Sequence, residues 1–302
     1  NIIENLEYIS EYFDVRGLER LCISRSLTHI SALTGELLYG ICRGMTIAFY
    51  EGIFVPLRLL RFLRDNQAEV YCATPTIFGN LARYAEIRSF PVKAAAISGE
   101  RLTEKQARKI AGAFPDTKFY NVYGLTEHSP RASALLPEDF VRKAGSIGKP
   151  IGRTEMRIEE GELLLRSPCV MKGYYADGER TAEKLKGGWL HTGDMAHRDE
   201  EGYYYIDGRK DDMIIRAGVK IFPGEIEEVL KMCPGVEECR VYGEADERFG
   251  EKICAEVKGE AEPADIRRFA VKNLPPHLQP NEYKKTEAFE YTAGGKLVRR
   301  KR

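Results

Sequence analysis

The chain has 302 residues, 43% hydrophobic and 30% charged, enough to bury a large core and build two domains, so it is not read as disordered. Lysine plus arginine equals aspartate plus glutamate at 46 each, so no net field directs the protein to nucleic acid or a membrane surface. The seven cysteines are scattered, odd in number and never spaced as Cys-x-x-Cys, which fits free thiols in a reducing cytoplasm rather than a disulfide frame or a zinc site.

No run of about 18 apolar residues occurs and no signal peptide opens the chain, so a soluble cytoplasmic protein without a membrane span is expected. The first residue is Asn1, and the basic run Arg299-Arg300-Lys301-Arg302 reads as a solvated tail.

Ile2, Leu6, Ile9 and Phe13 recur at helical spacing and predict an opening amphipathic helix. A second helix is predicted over Val55 to Arg64, with Leu57, Leu60 and Leu63 inward. A third starts at Thr103, where Thr103 and Gln106 form a capping box ahead of Ala107, Ile110 and Phe114. Strand-like runs occupy residues 69–74, 92–97 and 118–123. Strands alternating with helices imply an α/β fold with a mostly parallel sheet.

After about residue 144 the texture changes to a small antiparallel unit: a hairpin of Met156 to Ile158 and Leu163 to Leu165, then a strand at Tyr203 to Ile206. A second change follows Gly208-Arg-Lys-Asp-Asp212. Beyond it a compact α+β unit is expected, with a helix from Glu225 to Met232, strands over 236–242 and 252–257, and a helix from Ala264 to Leu274. The expected organisation is therefore a domain over 1–209, divided into an α/β part (1–144) and an antiparallel part (145–209), a hinge at 210–211, and a small domain over 212–302.

Tyr123-Gly-Leu-Thr-Glu127 follows a predicted strand, which puts it at the carboxyl end of the sheet, where open α/β folds bind ligands. An aromatic ring there can stack on a base, a hydroxyl can meet a phosphate and a carboxylate can hold Mg²⁺; an ordinary loop is the plainer alternative. Trp189-Leu-His-Thr-Gly-Asp194 places an acid on a glycine turn, suited to accept hydrogen bonds from a ribose diol. The segment Gly208 to Glu227 is too long and particular to arise by accident.

Read with Ser98-Gly-Glu100, Gly161-Glu-Leu163, Gly173-Tyr-Tyr175 and Gly294-Gly-Lys296, these segments resemble, in order and spacing over essentially the whole chain, the signature motifs of one superfamily. Its members are acyl- and aryl-CoA synthetases, nonribosomal-peptide adenylation domains and luciferases, and they activate a carboxylic acid with Mg-ATP before passing the acyl group to a thiol. The resemblance implies a large N-terminal domain followed by a small lid. It implies ATP or AMP and Mg²⁺ as ligands, with coenzyme A or a carrier-protein phosphopantetheine as acceptor.

By the same resemblance Ser98, Gly99, Glu100, Asn121, Tyr123, Gly124 and Ile206 border the nucleotide. Tyr123 stacks on adenine, Thr126 binds phosphate, Glu127 ligates Mg²⁺, and Asp194 and Arg209 hold the ribose. Lys296 is the catalytic lysine, Asp211 the hinge and Gly218 a lining residue of the thiol tunnel. The acid pocket falls to His29, Ile30, Ala95, Ile97, Val122 and Arg131. Three roles stay open for Arg131: facing a second carboxylate of the substrate, lining the thiol tunnel, or forming a surface ion pair. No aspartate occurs between Val15 and Arg64, which disfavours a free α-amino acid as substrate.

Relatives carry a Ser/Thr/Gly-rich phosphate loop ending in lysine shortly before the position of Asn1. Ser31-Ala-Leu-Thr-Gly35 does not replace it, so the chain as given is expected to adenylate weakly or not at all. An acid–CoA ligase is the favoured expectation, with a carrier-loading adenylation domain and a non-catalytic nucleotide-binding half-protein as alternatives.

Overall fold

The computed structural model describes residues 1–87 and 90–290. The chain divides into two compact units, one of residues 1–192 and 196–206, the other of residues 193–195 and 207 onward.

The first unit opens on helix α1 (Ile2–Tyr12), which buries Asn5, Tyr8 and Ile9. Asn5 belongs to the buried stripe because its amide accepts from Arg131 N (3.3 Å) and donates to Arg131 O (2.7 Å). Then come β1 (Arg20–Ile23), α2 (Ile30–Ala32), a π-helical turn (Leu33–Leu38), α3 (Tyr39–Cys42) and β2 (Thr46–Phe49). Further on lie α4 (Pro56–Asp65), β3 (Val70–Ala73), α5 (Pro75–Leu81), β4 (Ala94–Ile97), α6 (Glu104–Ala113), β5 (Lys118–Gly124), β6 (Arg131–Leu135) and β7 (Lys149–Pro150).

The seven strands form one sheet in the order β2-β1-β3-β4-β5-β6-β7. It is parallel through β5, and β6 and β7 add antiparallel pairings. One face buries Leu59, Phe78, Ala95, Ile97, Ile110 and Phe119; the other buries Phe13, Tyr39, Cys72, Ala94, Ala96 and Val122.

In α4 the buried leucines are Leu59, Leu60 and Leu63, while Leu57 is 43% exposed. The predicted stripe misplaced one member because Leu57 stands three residues before Leu60, whereas the buried stripe is completed by Leu59, four residues before Leu63. The capping box of α6 is present: Thr103 Oγ1 accepts from Gln106 N at 3.2 Å and Gln106 Oε1 accepts from Thr103 N at 3.0 Å.

A second sheet follows, built from β8 (Glu155–Glu159), β9 (Glu162–Arg166), β10 (Leu185–Lys186), β11 (Trp189–Arg198) and β12 (Tyr204–Arg209), with α7 (Gly178–Lys184) preceding β10. The β8–β9 hairpin turns through Glu160 and Gly161, both at positive φ (53° and 88°), as a two-residue turn between twisted strands requires.

The second unit has a short hairpin, β13 (Ile214–Arg216) and β14 (Val219–Ile221), and a three-stranded sheet of β15 (Val236–Asp246), β16 (Gly250–Gly259) and β17 (Glu282–Lys285). Helices α8 (Pro223–Leu230) and α9 (Pro263–Asn273) contribute Ile226, Leu230, Ile266 and Ala270 to its core, beside Ile214, Val241 and Ile253. No helix among the described residues is long and apolar enough to cross a membrane.

Candidate active site

Because β4 and β5 are parallel neighbours with Ile97 opposite Asn121, the segments Ser98-Gly-Glu100 and Tyr123-Gly-Leu-Thr-Glu127 leave the sheet at the same carboxyl edge. That is the edge at which open α/β sheets bind ligands. Gly99 takes φ +92°, a conformation that favours glycine. Ser98 Oγ accepts from Arg25 Nη1 at 3.0 Å. Glu100 Oε2 accepts from the backbone N (3.3 Å) and hydroxyl (2.6 Å) of Thr76 in the first turn of α5, where the helix dipole favours a carboxylate. Asn121 is buried and donates to Ser146 O at 2.6 Å.

At the end of β5 a register shift falls between Tyr123 and Gly124, the kind of bulge that re-aims side chains beside sites. The chain then folds back tightly, with Leu125 N donating to Pro130 O at 2.9 Å. A β-carbon on Gly124 would lie 1.8 Å from that same carbonyl oxygen, so this position admits only glycine. Asn1 Nδ2 holds the far side of the loop through Ser129 Oγ at 2.8 Å.

Thr126 is exposed and Glu127 half-buried on a single turn of 3₁₀-helix. The Glu127 Oε1 accepts from the Tyr174 hydroxyl at 2.5 Å, and Met171 N donates to the Glu127 carbonyl at 2.8 Å. Burial, with the carboxylate beside it, pushes Tyr174 up to about 12. His128 is fully buried, and burial pushes it down to about 4, so the ring is neutral at pH 7. Tyr123 and Ile206 pack against the same apolar cluster as Ile147, Leu163 and Tyr204.

Asp194 does not sit on a turn, as its glycine neighbour led the sequence reading to expect. It lies inside the ten-residue strand β11, whose Gly193 has φ +75° without breaking the strand. Its buried carboxylate accepts from Arg209 Nη1 at 2.8 Å, which joins the two residues assigned to the ribose. Asp211 is exposed on a 3₁₀ turn (Lys210–Asp212). Gly218, with φ +81°, follows Ala217 (φ 49°) in the two-residue turn between β13 and β14. Lys296 lies outside the described residues.

The residues assigned to the acid pocket divide. Val122 and Arg131 share the α1 face of the sheet, whereas Ala95 and Ile97 point into the opposite core with Leu59 and Phe78. Strand alternation is the reason: on β4 the residues on the Val122 face are Ala94 and Ala96. His29 is exposed at the start of α2 and Ile30 half-buried within it.

A surface ion pair for Arg131 is excluded, since the side chain is 4% exposed and bonds to Tyr12 Oη (2.9 Å) and Gly35 O (3.2 Å). Sequence reasoning missed Arg25 and Glu36, and gave Tyr174 no role beyond its place in the Gly173-Tyr-Tyr175 motif. The lone acid at Glu36 in an otherwise apolar stretch is a signal that could have flagged it.

The AMP-binding enzyme family matches residues 1–175, and the AMP-binding enzyme C-terminal domain matches residues 225–296. The chain belongs to the AMP-binding enzyme family. Along its full length it is 32% identical to a long-chain-fatty-acid–CoA ligase of Bacillus subtilis (strain 168), of which it covers 57%. Over 60% of its length it is 37% identical to a 2-succinylbenzoate–CoA ligase of Bacillus mycoides (strain KBAB4), covering 40% of that protein.

The o-succinylbenzoate CoA synthetase of Bacillus subtilis, solved with its acyl-adenylate intermediate, superposes on 98% of the chain with a TM-score of 0.91 at 24% identity. The chain covers 63% of it, and the likeness is one of fold. The chain thus spans little more than half of the long-chain relative and under two thirds of the solved one.

Proposed function

We propose that the chain carries the site of an AMP-forming acid–CoA ligase. The observation that carries this is the convergence of Ser98-Gly-Glu100 and Tyr123-Gly-Leu-Thr-Glu127 on one carboxyl edge, in a chain that belongs to the AMP-binding enzyme family. In the first half-reaction an oxygen of the substrate carboxylate attacks the α-phosphorus of ATP, the bond to the bridging oxygen breaks, and pyrophosphate leaves with its electron pair. In the second, a thiolate sulfur attacks the acyl carbon and AMP leaves.

The edge fits these ligands chemically. Thr126 and Glu127 offer hard oxygen donors of the kind Mg²⁺ takes, and Gly99 leaves the backbone open to close approach, with only Thr74 Cγ2 at 3.7 Å from where a β-carbon would stand. Bound there, Mg²⁺ would neutralise phosphate charge. Tyr123 would offer its ring to adenine, Thr126 its hydroxyl to phosphate, and Asp194 its carboxylate to the ribose diol, held in place by Arg209. Lys296 would offset charge at the α-phosphate, Asp211 would serve as the pivot between half-reactions, and Gly218 would border the thiol.

The test is a panel of carboxylic acids incubated with the full-length parent protein, Mg-ATP and either coenzyme A or a phosphopantetheinylated carrier protein, with AMP and thioester measured together. AMP and acyl-CoA should appear in equal amounts and only when acid is present. Loading of the carrier alone would move the assignment to a carrier-loading adenylation domain, and no acid-dependent AMP with any acid would contradict the reading.

A further inference from the structure

On the α1 face of the seven-stranded sheet, Arg25, Glu36 and Arg131 form a buried charged cluster. Glu36 is fully buried on the π-helical turn, and its Oε1 accepts from both Nε (3.0 Å) and Nη2 (2.5 Å) of Arg25. Arg25 then reaches Ser98 Oγ at the nucleotide edge with Nη1. One carboxylate therefore faces two guanidiniums, and its close partner is Arg25.

Arg131 is held only by uncharged groups. Nη1 donates to Tyr12 Oη at 2.9 Å, Nη2 to Gly35 O at 3.2 Å and, at the long distance of 3.9 Å, to Cys72 Sγ, while the guanidinium lies 5.2 Å from the centre of the Phe13 ring. Neither Tyr12 nor Cys72 supplies a negative charge, because burial pushes Tyr12 up to about 12 and raises Cys72 above its usual range. The cluster carries a net positive charge inside the protein, a costly arrangement unless an anion completes it.

The cluster also has unspent hydrogen-bonding capacity. A guanidinium has five N–H donors, and the bonds above leave Nε–H and the second Nη1 hydrogen of Arg131 unspent. Glu36 Oε2 and Thr34 Oγ1 are buried on the same π-helical turn without a hydrogen-bond partner. Gly35, between these two residues in sequence, packs against Arg131, since a β-carbon there would stand 3.2 Å from Arg131 Nε. Single π-turns of this kind recur at functional sites.

Resting on the acid–CoA ligase reading and on the resemblance that puts Val122 and Arg131 beside the acid, we propose that the acid activated here carries a second carboxylate, bound by the buried guanidinium of Arg131. A long hydrocarbon chain would bury its methylenes against two guanidiniums and a carboxylate, and is disfavoured.

The experiment is isothermal titration of the protein with AMP and with two non-hydrolysable acyl-sulfamoyl adenosines matched in length, one ending in a carboxylate and one in a methyl group. The carboxylate-terminated analogue should bind roughly tenfold tighter or more, the scale of one charge-assisted hydrogen-bonded pair. Arg131→Met should abolish that preference and Arg131→Lys should keep part of it. If AMP binds but the methyl-terminated analogue binds as well or better, the inference is overturned while the ligase reading stands. If neither AMP nor either analogue binds, the ligase reading fails and takes the inference with it. Should Arg131→Met not fold, the wild-type preference and the Arg131→Lys titration still decide.

Discussion

Replacing Lys296 with alanine in the full-length parent protein is expected to slow acyl-adenylate formation by roughly 10²-fold or more while leaving the conversion of supplied acyl-adenylate to thioester near its normal rate. Attack of a carboxylate on the α-phosphate brings together two anionic groups, and charge concentrates on the phosphate oxygens as the new bond forms. A preorganised cation offsets that charge in the transition state more than in the ground state, so its loss falls on the rate of that step at the scale quoted. Thiol attack on the acyl carbon releases AMP and makes no comparable demand on the lysine. Acid-dependent exchange of labelled pyrophosphate into ATP measures the first step; thioester formation from chemically prepared acyl-adenylate measures the second. Equal slowing of both would make Lys296 a general structural or binding residue.

Gly124→Ala should be the most damaging single methyl in the site. The added carbon would stand 1.8 Å from Pro130 O and 2.6 Å from Pro130 C, both backbone atoms of the strand-adjacent return, so no side chain can swing aside to admit it. Either β5 or the return at Pro130 must move, and the 2.9 Å bond from Leu125 N to Pro130 O goes with it. A loss of about 3 kcal/mol or more is expected, at the top of the range for overpacking. Because Tyr123 and Thr126 flank this position, displacement of about 1 Å is expected to cost roughly 10²-fold in adenylation by the full-length parent protein.

Gly112→Ala is the control. It sits on the exposed side of α6 with nothing within 4 Å of a new β-carbon, and alanine there should be neutral or stabilise by up to about 1 kcal/mol. Urea midpoints of the two variants test the contrast. A Gly124→Ala protein as stable as Gly112→Ala would show that the loop is not held as described.

Much of the fold could be read where the local signal was strong. The capping box at Thr103 marked α6, the Glu160-Gly161 turn marked the β8–β9 hairpin, and strand-helix alternation marked the parallel sheet. Strands β1, β2 and β6 were missed. They are short, and Arg131-Ala-Ser-Ala-Leu135 lacks the β-branched and aromatic residues that advertise a strand; its pairing with β5 is decided by tertiary context.

The π-turn at Leu33–Leu38 has no sequence signature, and its effect, putting Glu36 against Arg25, could not be foreseen from spacing. The signature loops were assigned by motif, yet their placement on one edge depends on β4 and β5 being parallel neighbours. The acid-side residues suffered most, because a one-residue difference along a strand moves a side chain to the opposite face: Ala95 and Ile97 went to one core, Ala94 and Ala96 to the other.

The most direct measurement of the nucleotide site is a titration of the ¹⁵N-labelled protein with AMP, followed through backbone amide resonances. The expected result is a saturable set of shifts centred on Gly99, Tyr123, Gly124 and Thr126, lost in Tyr123→Ala. Shifts confined to the β15–β17 sheet, or no saturable shifts up to millimolar AMP, would contradict a nucleotide site at the carboxyl edge.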